Sequence, residues 1–149
     1  MDEFEIKLKI LINIVEEKNR LLTGIFDITE NQETFLRSEH SSEEFKMFFM
    51  EMTDEKQKYI DKVLDSDSLF QKIFAEIDDI FPKKAQEHRE AVIYLQGQIK
   101  IATELDIKIK ALEQKSKTIL EKQRYLPKVS PSKMSKENLI SKYKDNNKR

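Results

Sequence analysis

The stretch KKAQEHREAVIYLQGQIKIATELDIKIKALEQKSKTILEKQ, residues 83–123, decides the fold. Its apolar residues recur at Val92, Leu95, Ile99, Ala102, Leu105, Ile109, Leu112 and Ile119, in steps of three and four with one gap of seven. That spacing keeps them on one face of a helix, and Lys, Glu and Gln fill the opposite face. No proline interrupts the chain between Pro82 and Pro127, so the reading is one continuous helix of roughly 60 Å. A helix of this length and moderate apolarity is unstable alone in water and needs partners along it.

Working outward, the first partner is residues 2–38. Phe4, Leu8, Leu11, Val15, Leu22 and Ile25 form one stripe, with Ile14, Leu21, Ile28 and Phe35 beside it. The two stripes make a wide apolar face suited to two neighbours. Gly24 inside this helix costs about 1 kcal/mol relative to alanine; such a glycine is more often merely tolerated, and the other reading is close approach of another helix.

Ser41 followed by Glu44 has the spacing of a capping box and starts the next helix. That helix carries Phe45, Phe48, Phe49, Met52, Tyr59, Ile60 and Val63, and is expected to end near Leu64. Asp65-Ser66-Asp67-Ser68 offers N-caps for a restart, giving a shorter helix with Leu69, Phe70, Ile73, Phe74, Ile77, Ile80 and Phe81. Phe81-Pro82 is the expected stop. Short connections make consecutive rods antiparallel. The fold expected is all-α, an elongated antiparallel bundle of three rods, the middle one broken near residue 65 and able to hinge there.

Composition agrees. Charged residues are 37% and hydrophobic ones 38% of 149, with only two glycines and three prolines, a balance of long amphipathic helices. Residues 1–125 read as the bundle and 126–149 as a flexible basic tail. Seven Lys or Arg against Glu137 and Asp145 give the tail +5, leaving −6 for the rest of the net −1. A nucleic-acid binder carries its basic face on the folded part, which argues against that class. The absence of cysteine, the lack of any unbroken apolar span and the acidic start Met1-Asp2-Glu3 point to a cytoplasmic protein.

Sites of chemistry are scarce. Asp65, Asp67 and Glu76 fall on positions of a calcium loop, but Leu69 and Phe70 occupy the places of a ligand and the bending glycine. His40 and His88 stand apart, and Gly24 and Gly97 make no phosphate loop. No catalytic residue, metal or cofactor is expected. The apolar faces are the active feature, and a partner helix laid against them is the expected use. Leu95, Ile99, Leu105, Ile109 and Leu112, with Phe70, Phe74 and Ile77 on the middle rod, are the candidate contact residues. A structural homo-oligomeric coiled coil, such as a homodimer pairing its exposed stripe with its own copy, is the competing reading.

The words Lys56-Gln57-Lys58-Tyr59-Ile60, Leu64-Asp65-Ser66-Asp67, Phe70-Gln71-Lys72-Ile73-Phe74, Leu95-Gln96-Gly97-Gln98-Ile99 and Ile109-Lys110-Ala111-Leu112-Glu113, before a Ser/Lys-rich tail ending in Lys142-Tyr143-Lys144, carry a resemblance. Over nearly its whole length the chain resembles the FlgN-type flagellar export chaperones. The resemblance implies binding of the helical ends of hook-associated (hook–filament junction) proteins and their delivery to the flagellar type III export gate. It implies gate docking through a tyrosine near the tail. Tyr143, supported by Leu139 and Ile140, fits that place, with Tyr125 as the alternative.

Overall fold

The structure, a computed structural model, describes residues 1–123. Three long helices dominate: α1 (Glu3–Arg37), α3 (Met50–Ala75) and α5 (Arg89–Lys122). Two short ones, α2 (Ser42–Glu44) and α4 (Phe81–Lys84), stand at the corners, and a π-helical turn over Phe45–Phe49 joins α2 to α3. No strand occurs among the described residues. The expected all-α bundle of three rods is the observed one, and α1 covers nearly the span read for it. The tail positions Tyr125, Leu139, Ile140 and Tyr143 lie outside the described residues.

Side-chain pairings give the directions. α3 runs against α1, since Lys7 meets Glu76 at 2.8 Å, Lys18 meets Asp67 at 2.7 Å, and Gln32 donates to Thr53 at 2.9 Å. α5 runs parallel to α1: Phe4 faces His88, Asn19 donates to Gln98, and Gln123 donates to the Leu36 carbonyl. Lys7 bridges Glu3 and Glu76, and these hydrogen bonds hold its ammonium above its ordinary pKa and the Glu76 carboxyl below its own.

The Ser41–Glu44 capping box forms in full, with Glu44 N–H donating to Ser41 Oγ at 3.1 Å and Ser41 N–H to Glu44 Oε1 at 2.9 Å. The π turn follows at once, closed by Met50 N–H on the Phe45 carbonyl. It stacks Phe45 on Phe49 at 4.9 Å and places both in the core with Leu36 and Leu120. Phe48 is left outside, 47% exposed.

Two expectations fail. The middle rod is not broken near residue 65, because α3 continues through Asp65–Ser68 to Ala75. Ser and Asp in a helix interior cost less than about 0.7 kcal/mol each. Val63, Leu64, Phe70, Ile73 and Phe74, all half-buried, pack inward on both sides of that run. Full burial of such a side chain is worth about 1.5–3 kcal/mol, so the five together still exceed the propensity cost. Packing therefore outweighs the capping preference, Asp67 is held by Lys18 instead of capping, and no hinge exists there. The second failure concerns the stop at Phe81-Pro82 and the start of the last rod. α3 ends earlier, Phe81 and Pro82 open α4, and α5 begins only at Arg89. The cause is the bundle end: Phe81 turns in against Phe4 at 5.6 Å and Phe74 at 5.5 Å, and Ile77 is 1% exposed beneath them. The chain wraps this plug before it can run straight.

The core divides into three apolar clusters along the rods. Phe4, Leu8, Leu11, Val15, Ile77, Val92 and Leu95 form the first, and Leu22, Ile25, Ile60, Ala102 and Ile109 the middle one. Leu36, Phe45, Phe49 and Leu120 form the last. Polar layers separate them. Near one junction Asn19 donates to both the backbone and side chain of Gln98. Near the other, the buried Lys56 ammonium donates to Gln32 at 2.5 Å, to Thr29, and to the Glu113 carboxylate. Gln32 also donates to the Phe49 carbonyl and to Thr53, so the layer ties all three rods together. Burial pushes the Lys56 ammonium below its ordinary pKa, with Glu113 pulling the other way.

The clasp sets up opposite outcomes for single and double substitution. Glu113→Ala strands Lys56 in the interior and is expected to cost about 3–5 kcal/mol in urea unfolding. Lys56→Met with Glu113→Leu is expected to be neutral or to stabilise by about 1–4 kcal/mol. The pH profile has a sign as well. Because the folded pKa of Lys56 is lowered from 10.5, the unfolded chain binds the proton more tightly. Stability therefore gains from this group as pH rises from the lowered value towards 10.5, a slope the double variant loses.

Gly24 earns its place through Tyr59. A Cβ there would lie 2.5 Å from Tyr59 Cε2, so the ring rests on bare helix backbone. Gly24→Ala is expected to destabilise the protein while Tyr59 is present. In a Tyr59→Ala background the same change should gain about 1 kcal/mol of helix propensity. Thermal or urea unfolding of the four variants gives the coupling directly.

Candidate functional site

α3 and α5 both lie along α1, yet their backbones hardly approach each other. The bundle is thus open on one side, and a groove of about 420 Å³ runs between the two outer rods. Its floor is α1, through Ile14, Val15, Lys18, Leu22 and Ile25. One wall is α3, through Ile60, Val63, Leu64, Asp67, Phe70 and Gln71. The other is α5, through Ile99, Ala102, Thr103 and Asp106. The Lys56–Glu113 clasp lies beyond one end, and the Phe70–Phe74 stack, with centroids 6.2 Å apart, flanks the other.

The sequence produces this opening directly. The double stripe of α1 spreads over an arc too wide for one neighbour, so α3 and α5 each take a flank; Val15, Leu22 and Ile25 between them are buried, and Ile14 is half-buried. The polar groups in the groove are mostly occupied. Lys18 is paired with Asp67, Asp106 with Lys110 at 2.9 Å, and the Thr103 hydroxyl donates to the Ile99 carbonyl. What remains to offer a partner is the half-buried Ile14, Val63, Leu64 and Phe70 and the exposed Ile99, since Val15, Leu22, Ile25, Ile60 and Ala102 beneath them are buried. Among the described residues no three His, Cys, Asp or Glu come together in a way that could hold a metal ion, and no helix is long and apolar enough to cross a membrane.

The structure divides the eight expected contact residues. Ile99 and Phe70 line the groove, Ile99 being 41% exposed and Phe70 half-buried. Leu105 is half-buried against the middle cluster, and Leu112 is half-buried further along α5. Phe74 is packed between Phe70 and Phe81. Leu95, Ile109 and Ile77 are sealed in the core and present no surface to a partner. Periodicity places all of them on inward faces, but it does not say where two rods fail to close. The floor residues Ile14, Leu22 and Ile25 and the wall residues Ile60, Val63 and Leu64 were read only as packing. The width of the α1 face was the one signal that pointed to them.

No family model, curated protein or solved structure matches the chain.

The division between core and groove has a direct test in stability. Leu95→Ala or Ile109→Ala is expected to cost about 2–5 kcal/mol, as for any large side chain removed from a closed core. Ile99→Ala, at an open wall, is expected to cost well under about 1 kcal/mol, in the range of surface changes. Urea titration of the three variants is the measurement, and equal losses at all three positions would mean that the groove is closed in solution.

Proposed function

We propose that the chain is a helix-binding export chaperone that catalyses nothing, and that the groove between α3 and α5 is where the client helix lies. The observation that carries this is the opening itself, an apolar trough along two long rods with α1 as its floor. A helix with apolar residues at i, i+3, i+4 and i+7 fits such a trough, since its one stripe replaces the missing contact between the outer rods. The driving force is apolar burial at roughly 25 cal/mol per Å², offset by the cost of ordering the client. The Lys18–Asp67 and Asp106–Lys110 pairs lie at the groove and define polar edges on which a client register can be set.

The resemblance to FlgN-type chaperones names the client class and the compartment. In this reading the protein works in the cytoplasm on the helical ends of hook-associated proteins, and Tyr143, with Leu139 and Ile140, docks the loaded chaperone on the export gate. A tyrosine flanked by Lys142 and Lys144 anchors an interface at small entropic cost, and the lysines steer it.

Calorimetric titration with peptides from the helical ends of hook-associated proteins tests the groove. Ile99→Glu is expected to weaken binding at least about tenfold, a loss of about 1.4 kcal/mol, with the melting temperature nearly unchanged. Wild-type affinity in that variant would overturn the site. Tyr143→Ala, with Tyr125→Ala in parallel, is expected to leave peptide affinity intact and to reduce export of the client in cells. Normal export in both would remove the docking role from the tail.

A further inference from the structure

The outer face of α5 is turned away from α1 and from the groove, yet it is not a charged surface throughout. Ile93, Ile101 and Ile107 are 55%, 43% and 62% exposed, and they flank a glycine with nothing around it. A Cβ built on Gly97 meets no atom within 4 Å. Gly24, the other glycine, is explained by the Tyr59 ring that rests on it; Gly97 has no such neighbour among the described residues. Glycine costs about 1 kcal/mol of helix propensity, and bare backbone on an exposed apolar face permits close approach of another helix.

We infer that this face pairs with the same face of a second copy of the chain, the two α5 helices running antiparallel about a two-fold axis. The charge pattern selects this occupant. Glu90, Gly97, Ile101 and Lys108 are spaced by seven, four and seven residues, which keeps them on one side of the helix and makes the row symmetric about its midpoint. A two-fold through that midpoint sets Ile101 of each copy over Gly97 of the other. It also sets Glu90 of each copy against Lys108 of the other, so that both ends of the row carry an attractive pair. Neither Glu90 nor Lys108 has an ion-pair partner within the described chain.

The adjoining row repeats the relation. Ile93 and Ile107 are two heptads apart and centred on position 100, one residue from the centre of the first row, so Ile93 of one copy comes within a turn of Ile107 of the other. Lys100 lies near its own copy beside the axis, a repulsive contact from which its long stem lets the ammonium splay into water, and the exposed Glu104 one turn along the same face carries the opposite charge. The groove-lining residues of α5, Ile99, Ala102, Thr103 and Asp106, lie on another side of the helix, so each copy keeps its groove open.

Sedimentation equilibrium of the full chain, from low micromolar to several hundred micromolar, tests the pairing. A reversible dimer is expected. Gly97→Glu, which the open space accommodates in the monomer, is expected to raise the dimer dissociation constant at least tenfold with helicity retained. Gly97→Ala, a smaller intrusion that also favours the helix, checks that any loss of dimer does not come from unfolding. Glu90→Lys and Lys108→Glu should each weaken the dimer, and the two together should restore it, while Lys100→Ala should tighten it. A chain that stays monomeric across the range, or a dimer indifferent to Gly97→Glu and to the charge exchange, would overturn the assignment. Peptide binding by folded Gly97→Glu monomer reports on the groove separately, so failure of one reading leaves the other measurable.

Discussion

α1 has to bury one broad apolar face against two helices that hardly touch each other, and the rest of the molecule follows from that constraint. A three-rod bundle in which every pair closes hides all three stripes and leaves a solid core. Here α3 and α5 take the two flanks of α1, and the cleft between their backbones is floored by the buried Leu22 and Ile25 and the half-buried Ile14. The opening is therefore a property of how wide the α1 face is, more than of any single residue in the walls.

An open bundle needs something to fix the spacing and register of its outer rods, and the polar layer around Lys56 supplies it. Apolar clusters alone tolerate sliding by a turn, because one Leu or Ile contact resembles the next. Lys56, Gln32, Thr29 and Glu113 satisfy one another in one register, and slippage would leave an ammonium and a carboxylate buried apart. Gly24 under the Tyr59 ring adds a steric key between α1 and α3. At the opposite end the reversal through Ile77, Phe81 and Ala85 closes on Phe4, so that end is sealed by side chains. Packed ends with a cleft between them agree with the proposed helix-binding role, in which little would have to be ordered on binding.

The two surfaces left over differ in kind. The groove is concave, and its charged lining residues are already paired within the chain, so the proposed recognition there is by shape and apolarity. The outer face of α5 is convex, with Glu90 and Lys108 placed evenly about the midpoint between Gly97 and Ile101, and its proposed partner is its own copy. Both lie on one helix without overlapping, because its residues are distributed around the whole circumference.

Much of this was legible in the residues themselves. The length and face of α1, the capping box at Ser41 and Glu44, the closeness permitted at Gly24 and the count of three rods come from periodicity and local hydrogen bonding, which act over a few neighbouring positions. Local preference misled where a distant contact outweighed it. Asp65–Ser68 carries every mark of a helix start, yet inward packing on both sides holds α3 straight. The aromatic plug at Phe4 and Phe81 likewise delays α5 to Arg89. Helix faces were thus determined by the sequence alone. Which faces close and which stay open, and that Lys56 rather than another lysine is buried, were decided only by tertiary structure, because these depend on the distance between rods that no local pattern encodes.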